Sequence, residues 1–160
     1  MSTLYIMRHG DAISRAATDA ERPLSDLGQS DAAKMIPCLL EQPPTTLWVS
    51  PYLRAQQTAA IVVTGLVQAG HNPNIETISG ITPDDNPFKL VDLLADFNQG
   101  PLMLVSHNPF VSILFSLLTK GHTQAQIGMA TASVACIQGE VNGLGTMDLR
   151  WYKTPSDPAM

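Results

Sequence analysis

The sequence is poor in cysteine, in positive charge and in long apolar runs, and each shortage excludes a class of protein. Only two cysteines occur among 160 residues, Cys38 and Cys136. They lie far apart, each within an apolar stretch, and neither belongs to a CxxC or Cys/His pattern. Free buried thiols are therefore expected, not a disulfide framework. Nine Lys and Arg stand against 14 Asp and Glu, a formal net charge of -5. That balance repels nucleic acid and anionic lipid on average, and no basic stretch or aromatic-basic alternation offsets it. The opening residues, Met1 to Arg8, carry no basic leader region, and their apolar run is too short for a signal peptide or a membrane span. The expected setting is a reducing cytoplasm, with neither nucleic acid nor membrane as partner.

What is present is core. Hydrophobic residues make up 44% of the chain and charged residues 14%, which argues for a compact fold over disorder. The length suits one domain over residues 1–153, large enough to bury a core without disulfides or a structural metal. The stretch 154–160 carries two prolines and little apolar content, and is expected to be a flexible tail.

Three short apolar runs, Thr3 to Met7, Thr46 to Val49 and Pro101 to Val105, are bounded by turn residues as buried strands are. Helical patterns lie between and after them: Asp26 to Leu40 behind a Ser25 N-cap, Tyr52 to Ala69 closed by Gly70, Pro87 to Phe97 closed by Gly100, and Pro109 to Leu118 stopped near Gly121. Pro37 should kink or shorten the first. Ile75 to Ser79 reads as a further strand. Ser133 to Gln138 and Thr146 to Tyr152, with Asn142-Gly143 between, read as a closing hairpin. Alternating strands and helices predict a three-layer α/β/α sandwich around a mostly parallel central sheet.

Each of the first three strands named ends in polar residues: Arg8-His9-Gly10, Ser50-Pro51-Tyr52-Leu53-Arg54 and Ser106-His107-Asn108-Pro109. Ligands of open α/β sheets bind beyond the carboxyl ends of the strands, so these segments should share one crevice. Two histidines and two arginines would meet there, a local cationic pocket in an acidic molecule. Phosphoryl transfer suits such a set, because its transition state spreads negative charge over equatorial oxygens and is stabilised by position and electrostatics. Arginine grips phosphate oxygens bidentately and stays charged. Neutral imidazole is a competent nucleophile, and a phosphohistidine intermediate splits one displacement into two easier ones. Gly10, lacking a Cβ, is expected to let backbone and phosphate approach closely.

Arg8-His9-Gly10, Ser50-Pro51-x-x-Arg54-Ala55-x-Gln57-Thr58-Ala59 and Ser106-His107, in that order, resemble the signature of the histidine phosphatase superfamily, whose fold is phosphoglycerate mutase-like. The resemblance implies that His9 is the nucleophile, that Arg8 and Arg54 bind the phosphoryl oxygens, and that His107 donates to the same oxygens. Arg22, in Glu21-Arg22-Pro23-Leu24-Ser25, resembles the further family arginine that completes the pocket. It implies no metal and no organic cofactor. His71 and His122 follow glycines in loops and have no ligand partners at metal-binding spacing.

The short length and Arg22-Pro23-Leu24-Ser25 resemble the SixA-type protein phosphohistidine phosphatases more than the mutases. Only 48 residues separate Thr58 from His107, leaving no room for the mutases' lid-forming insertions. A protein-borne phosphate is therefore the expected substrate: phosphohistidine on the histidine-phosphotransfer domain of a kinase or on a phosphocarrier protein, within two-component signalling, with the enzyme a monomer. Many relatives supply a carboxylic acid from the segment that is here Ile81 to Pro87, where Asp84 or Asp85 would have to serve. As turn and cap residues between two prolines, both also have a purely local reading. Two alternatives stay open: action on small phosphate esters, and a non-catalytic module that binds phosphate in the same pocket.

Overall fold

Residues Thr3 to Met7 are all buried and form the centre of the first strand, β1 (Ser2–Arg8). A strand buried on both faces has no solvent side and must be covered by helices above and below. The computed structural model, which describes residues 1–157, meets that requirement. Its remaining elements run α1 (Asp26–Lys34), β2 (Thr46–Val49), α2 (Leu53–Gln68), β3 (Asn74–Thr77), α3 (Pro87–Ala95), β4 (Leu102–Ser106), α4 (Phe110–Lys120), β5 (Val134–Gly139) and β6 (Asp148–Lys153). The strands form one sheet in the order β3-β2-β4-β1-β5-β6. The β3-β2-β4-β1 portion is parallel, and β5 and β6 extend it antiparallel.

Strand alternation divides the core in two. Leu4 and Ile6 of β1, with Trp48, Leu102 and Leu104, face α3 and α4. Tyr5 and Met7, with Leu47, Val49, Met103 and Val105, face α1 and α2. The architecture is the three-layer α/β/α sandwich with a mostly parallel sheet. Among the described residues, no helix is long and apolar enough to cross a membrane, and both cysteines are free.

Several element ends differ from the sequence reading. The first helix stops at Lys34, not Leu40, and Pro37 opens a separate 3-10 turn, Pro37–Leu39. Proline lacks the N–H that would continue the helix, and its ring would crowd the carbonyl four residues back. Helix α3 ends at Ala95, two residues before Phe97, and β3 begins one residue early, at Asn74. The antiparallel β5 and β6 pair as expected, and residues 140–147 join them, but Asn142 does not serve only the connection. The Asn142 amide donates to the carbonyls of Leu94 and Phe97, closing the C-terminal end of α3. In the expected tail, Thr154 and Asp157 close a turn through two hydrogen bonds. The remainder, 158–160, lies outside the described residues.

Candidate active site

Because β2, β4 and β1 are neighbours and parallel, their carboxyl ends open on one edge of the sheet. Arg8 stands in register with Ser106, and Val49 with Val105, so the loops carrying His9, Ser50 and His107 are adjacent. The His9 amide donates to the Ser106 carbonyl at 2.9 Å, which ties the first motif to the third.

The Leu24-Ser25 segment is held against this loop. The Ser25 hydroxyl donates to the Asp11 carboxylate at 2.6 Å while capping α1 at the Gly28 amide. The Leu24 amide donates to the Gln57 side chain at 2.7 Å. Gly10 also has a packing role: a Cβ there would lie 2.6 Å from the Gly28 carbonyl oxygen, and one on Gly28 would lie 2.1 Å from that of Asp11. The two glycines let the first loop and α1 touch backbone to backbone. The Gly10 amide donates to Thr58 Oγ1, whose hydroxyl in turn donates to the Arg54 carbonyl.

His9 is 7% exposed. Its Nδ1 lies 2.7 Å from the Gly10 carbonyl oxygen. A carbonyl only accepts, so Nδ1 carries the proton and Nε2 keeps its lone pair. That lone pair accepts from Arg54 Nε at 3.2 Å. Burial, reinforced by Arg54, Arg8 and Arg22 and opposed by the Gly10 bond, lowers the His9 pKa to about 4. The imidazole is neutral at pH 7, as a nitrogen nucleophile must be.

Arg54, the second residue of α2, is 4% exposed. Besides His9 it binds one residue through two groups: Nη1 donates to the Asp19 carbonyl at 2.7 Å and Nη2 to Asp19 Oδ2 at 3.1 Å. Arg22 donates from Nη1 to Asp19 Oδ1 at 3.1 Å and from Nε to the Ile13 carbonyl. Asp19 therefore bridges the two arginines, which hold its carboxyl below the usual carboxylate range.

His107 is 1% exposed, and its ring centroid lies 5.0 Å from that of His9. Its Nε2 is 2.7 Å from Ser50 Oγ, while Nδ1 is buried with no partner. Burial first, then the neighbouring His9 and Arg54, lowers its pKa to about 3. The Tyr52 ring packs edge-on against His107 and beneath the Arg54 guanidinium. Arg8 donates from Nη1 to the Met129 carbonyl, which also accepts from Asn108, and Arg8 Nε is buried without a partner. Arg8 Nε, a buried donor without an acceptor, and the unpartnered His107 Nδ1 lie in one cationic crevice, which suits an oxyanion.

The crevice thus brings together Arg8, His9, Arg54 and His107, with Arg22 joined through Asp19. Among the described residues, neither Asp84 nor Asp85 is hydrogen-bonded to any of these side chains, although their segment is joined to Ser106 through the Ile81 carbonyl. The Asp85 carboxylate accepts from the amide and hydroxyl of Thr82 and closes its own turn. Among the described residues, Asp84 makes no side-chain hydrogen bond or ion pair. Asp19 is the site residue the sequence reading missed. Its one sequence signal was the three-residue spacing to Arg22, which suggests a local ion pair and nothing about Arg54.

The chain is similar in sequence and in fold to known proteins. The family model for the histidine phosphatase superfamily (branch 1) matches residues 4–76, the span containing Arg8, His9, Arg22 and Arg54. Phosphohistidine phosphatase SixA of Escherichia coli (strain K12) is 30% identical over 166 residues, covering 98% of this chain and 96% of that one. A phosphohistidine phosphatase SixA homolog of Haemophilus influenzae is 30% identical over 118 residues, covering 68% and 71%. The solved structure of the protein histidine phosphatase SixA complexed with tungstate superposes with a TM-score of 0.85 at 27% identity, covering 96% of this chain and 97% of that chain. With near-complete coverage in sequence and in structure, the chain belongs to the histidine phosphatase superfamily, as a homologue of SixA.

Proposed function

We propose that the protein is a phosphohistidine phosphatase acting through a phosphorylated His9, with the histidine-phosphotransfer domain of a kinase or a phosphocarrier protein as substrate. The observation that carries the reading is the state of His9: Nδ1 is committed to the Gly10 carbonyl, so the lone pair lies on Nε2, where it accepts from Arg54.

In the first step, His9 Nε2 attacks phosphorus, its bond to phosphorus forms, and the substrate's N–P bond breaks. The departing imidazole takes a proton from solvent. Arg8 and Arg54 hold the equatorial oxygens, Arg22 adds charge at the rim, and His107 donates to the same oxygens. In the second step water forms the new O–P bond, the Nε2–P bond breaks, and phosphate leaves. No metal or organic cofactor enters either step.

The carboxylates favour a phosphoramidate over an ester. An alkoxide leaving group needs a positioned acid, whereas Asp85 is occupied by Thr82, Asp19 is held ionised by its two arginines, and Asp84 is exposed with no hydrogen bond among the described residues to position it. An imidazole leaving group depends on an acid far less. The chain passes from β3 to α3 through residues 78–86 alone, too short for a lid, which suits a bulky phosphoprotein approaching a monomer in the cytoplasm.

The test incubates the protein with a phosphorylated phosphotransfer domain, a phosphoaspartate receiver and small phosphate esters, with acid-sensitive trapping of the labelled enzyme. We expect rapid loss of phosphohistidine, a label absent from His9→Ala, and turnover slowed by orders of magnitude in His107→Ala. Normal turnover by His9→Ala would end this mechanism, and preferential ester hydrolysis would replace the substrate.

A further inference from the structure

We propose that Asp19 is the resident anion of the phosphate pocket: its carboxylate spans Arg22 and Arg54, and the incoming phosphoryl group must displace it. Asp19 is then a resident competitor, which weakens the pocket for any phosphoryl group that enters it. The inference rests on the phosphatase reading above.

Three observations carry it. First, the carboxylate is divided between two cations, Oδ1 on Arg22 and Oδ2 on Arg54, both at 3.1 Å. Two oxygens accepting from two guanidinium groups is the pattern a phosphoryl group would make at the same donors. Second, the bond that Asp19 supports blocks the chemistry. Arg54 Nε donates to His9 Nε2, so the lone pair that must reach phosphorus is capped while Asp19 holds the far edge of the guanidinium. For attack, Arg54 has to transfer its N–H from His9 to a phosphoryl oxygen. A dianion competing for Nη2 drives that exchange, because the carboxylate cannot share the donor with a like charge.

Third, Asp19 is placed to leave. It opens the 3-10 turn Asp19–Glu21, which buries no residue, and its side chain is 56% exposed while that of Arg54 is 4% exposed. The neighbouring segment is tied locally, by Thr18 to Glu21 and by Arg22 to Ile13. Swinging the carboxylate into solvent breaks no core packing, whereas moving Arg54 would. Three arginines with two neutral histidines form a strongly cationic crevice. Asp19 is the carboxylate bound to it, and a monoanion resident there yields to a dianion more readily than to smaller competing charges.

The test titrates inorganic phosphate by calorimetry into the wild type, Asp19→Asn and Asp19→Glu. Asparagine keeps a carbonyl acceptor but removes the charge, and glutamate keeps the charge. We expect Asp19→Asn to bind phosphate about tenfold more tightly, and the KM for a phosphohistidine domain to fall with it. Asp19→Glu should stay near the wild type. Equal or weaker phosphate binding by Asp19→Asn would overturn the inference and make Asp19 a brace for Arg54. If instead Asp19→Asn tightens phosphate but the wild type does not act on phosphohistidine, the substrate reading fails and this one stands. Absence of phosphate binding by both proteins would remove the pocket and the inference together.

Discussion

The two nitrogens of His9 have opposite tasks, and a backbone carbonyl divides them. Gly10 accepts from Nδ1, so nucleophilic character is confined to Nε2. Burial then keeps the ring neutral far below the usual histidine range near 6.5, with a pKa of about 4. Protonation removes the lone pair, so the proposed nucleophile would be lost as pH falls through 4, not through 6.5. An NMR titration of the His9 ring in the free protein should have its midpoint near pH 4. A midpoint above 6 would show that the ring is solvated and the buried geometry wrong. Much of this residue chemistry was legible in sequence, because Arg8, His9, Arg54 and His107 each follow a short apolar strand. Asp19 was not: its contact with Arg54 joins positions 35 apart through a main-chain carbonyl and an exposed turn, which no local periodicity encodes. The packing contact of Gly10 was hidden in the same way, because its close neighbour is Gly28, on another element.

At the scale of elements, the site depends on α1 seating against the loop after β1. Ser25 caps the helix and binds Asp11, and Gln57 of α2 holds Leu24. The backbone contact at Gly28 sets how close that seat can be. Gly28→Ala would place a methyl group 2.1 Å from the Asp11 carbonyl oxygen, a rigid neighbour two residues from His9. We expect about 3 kcal/mol of destabilisation by urea unfolding, with a fall in kcat as the loop shifts. Gly80→Ala, where a Cβ would meet nothing within 4 Å, should be neutral to within about 0.5 kcal/mol. A Gly28→Ala protein as stable and active as the Gly80→Ala control would refute this packing. Element legibility followed burial. Helix α2, with a buried stripe from Arg54 to Leu66, has the bounds its pattern suggests to within a residue. Strand β3 is exposed throughout and pairs only with β2, so no alternation marked its ends.

At the scale of the whole molecule, strand order was hidden, because β1 pairs with β4 and β5, elements far downstream. Only the rule that ligands sit at the carboxyl ends of parallel strands let three distant motifs be assigned to one crevice. The same burial that assembles them makes folding depend on pH. His9 and His107 have folded pKa values of about 4 and about 3, against about 6.5 for an unfolded chain. Between those limits the unfolded state binds more protons than the folded state, so stability rises with pH across the window and is lost on acidification. Each pKa unit corresponds to about 1.4 kcal/mol, so a shift of this size costs on the order of 3 kcal/mol for His9 by pH 4. The two rings lower each other's affinity for protons, so their contributions are not additive. Asp19, whose pKa is lowered, acts in the same direction: its stabilisation is present above the ordinary carboxylate range and disappears in acid. Urea unfolding at intervals from pH 7 to pH 4 should therefore show stability falling steadily, and His107→Gln, which cannot take up the proton, should flatten the decline. A wild-type profile that stays level from pH 6.5 to pH 4.5 would mean that the histidines are not buried neutral, and the nucleophile would have to be sought in a solvated form.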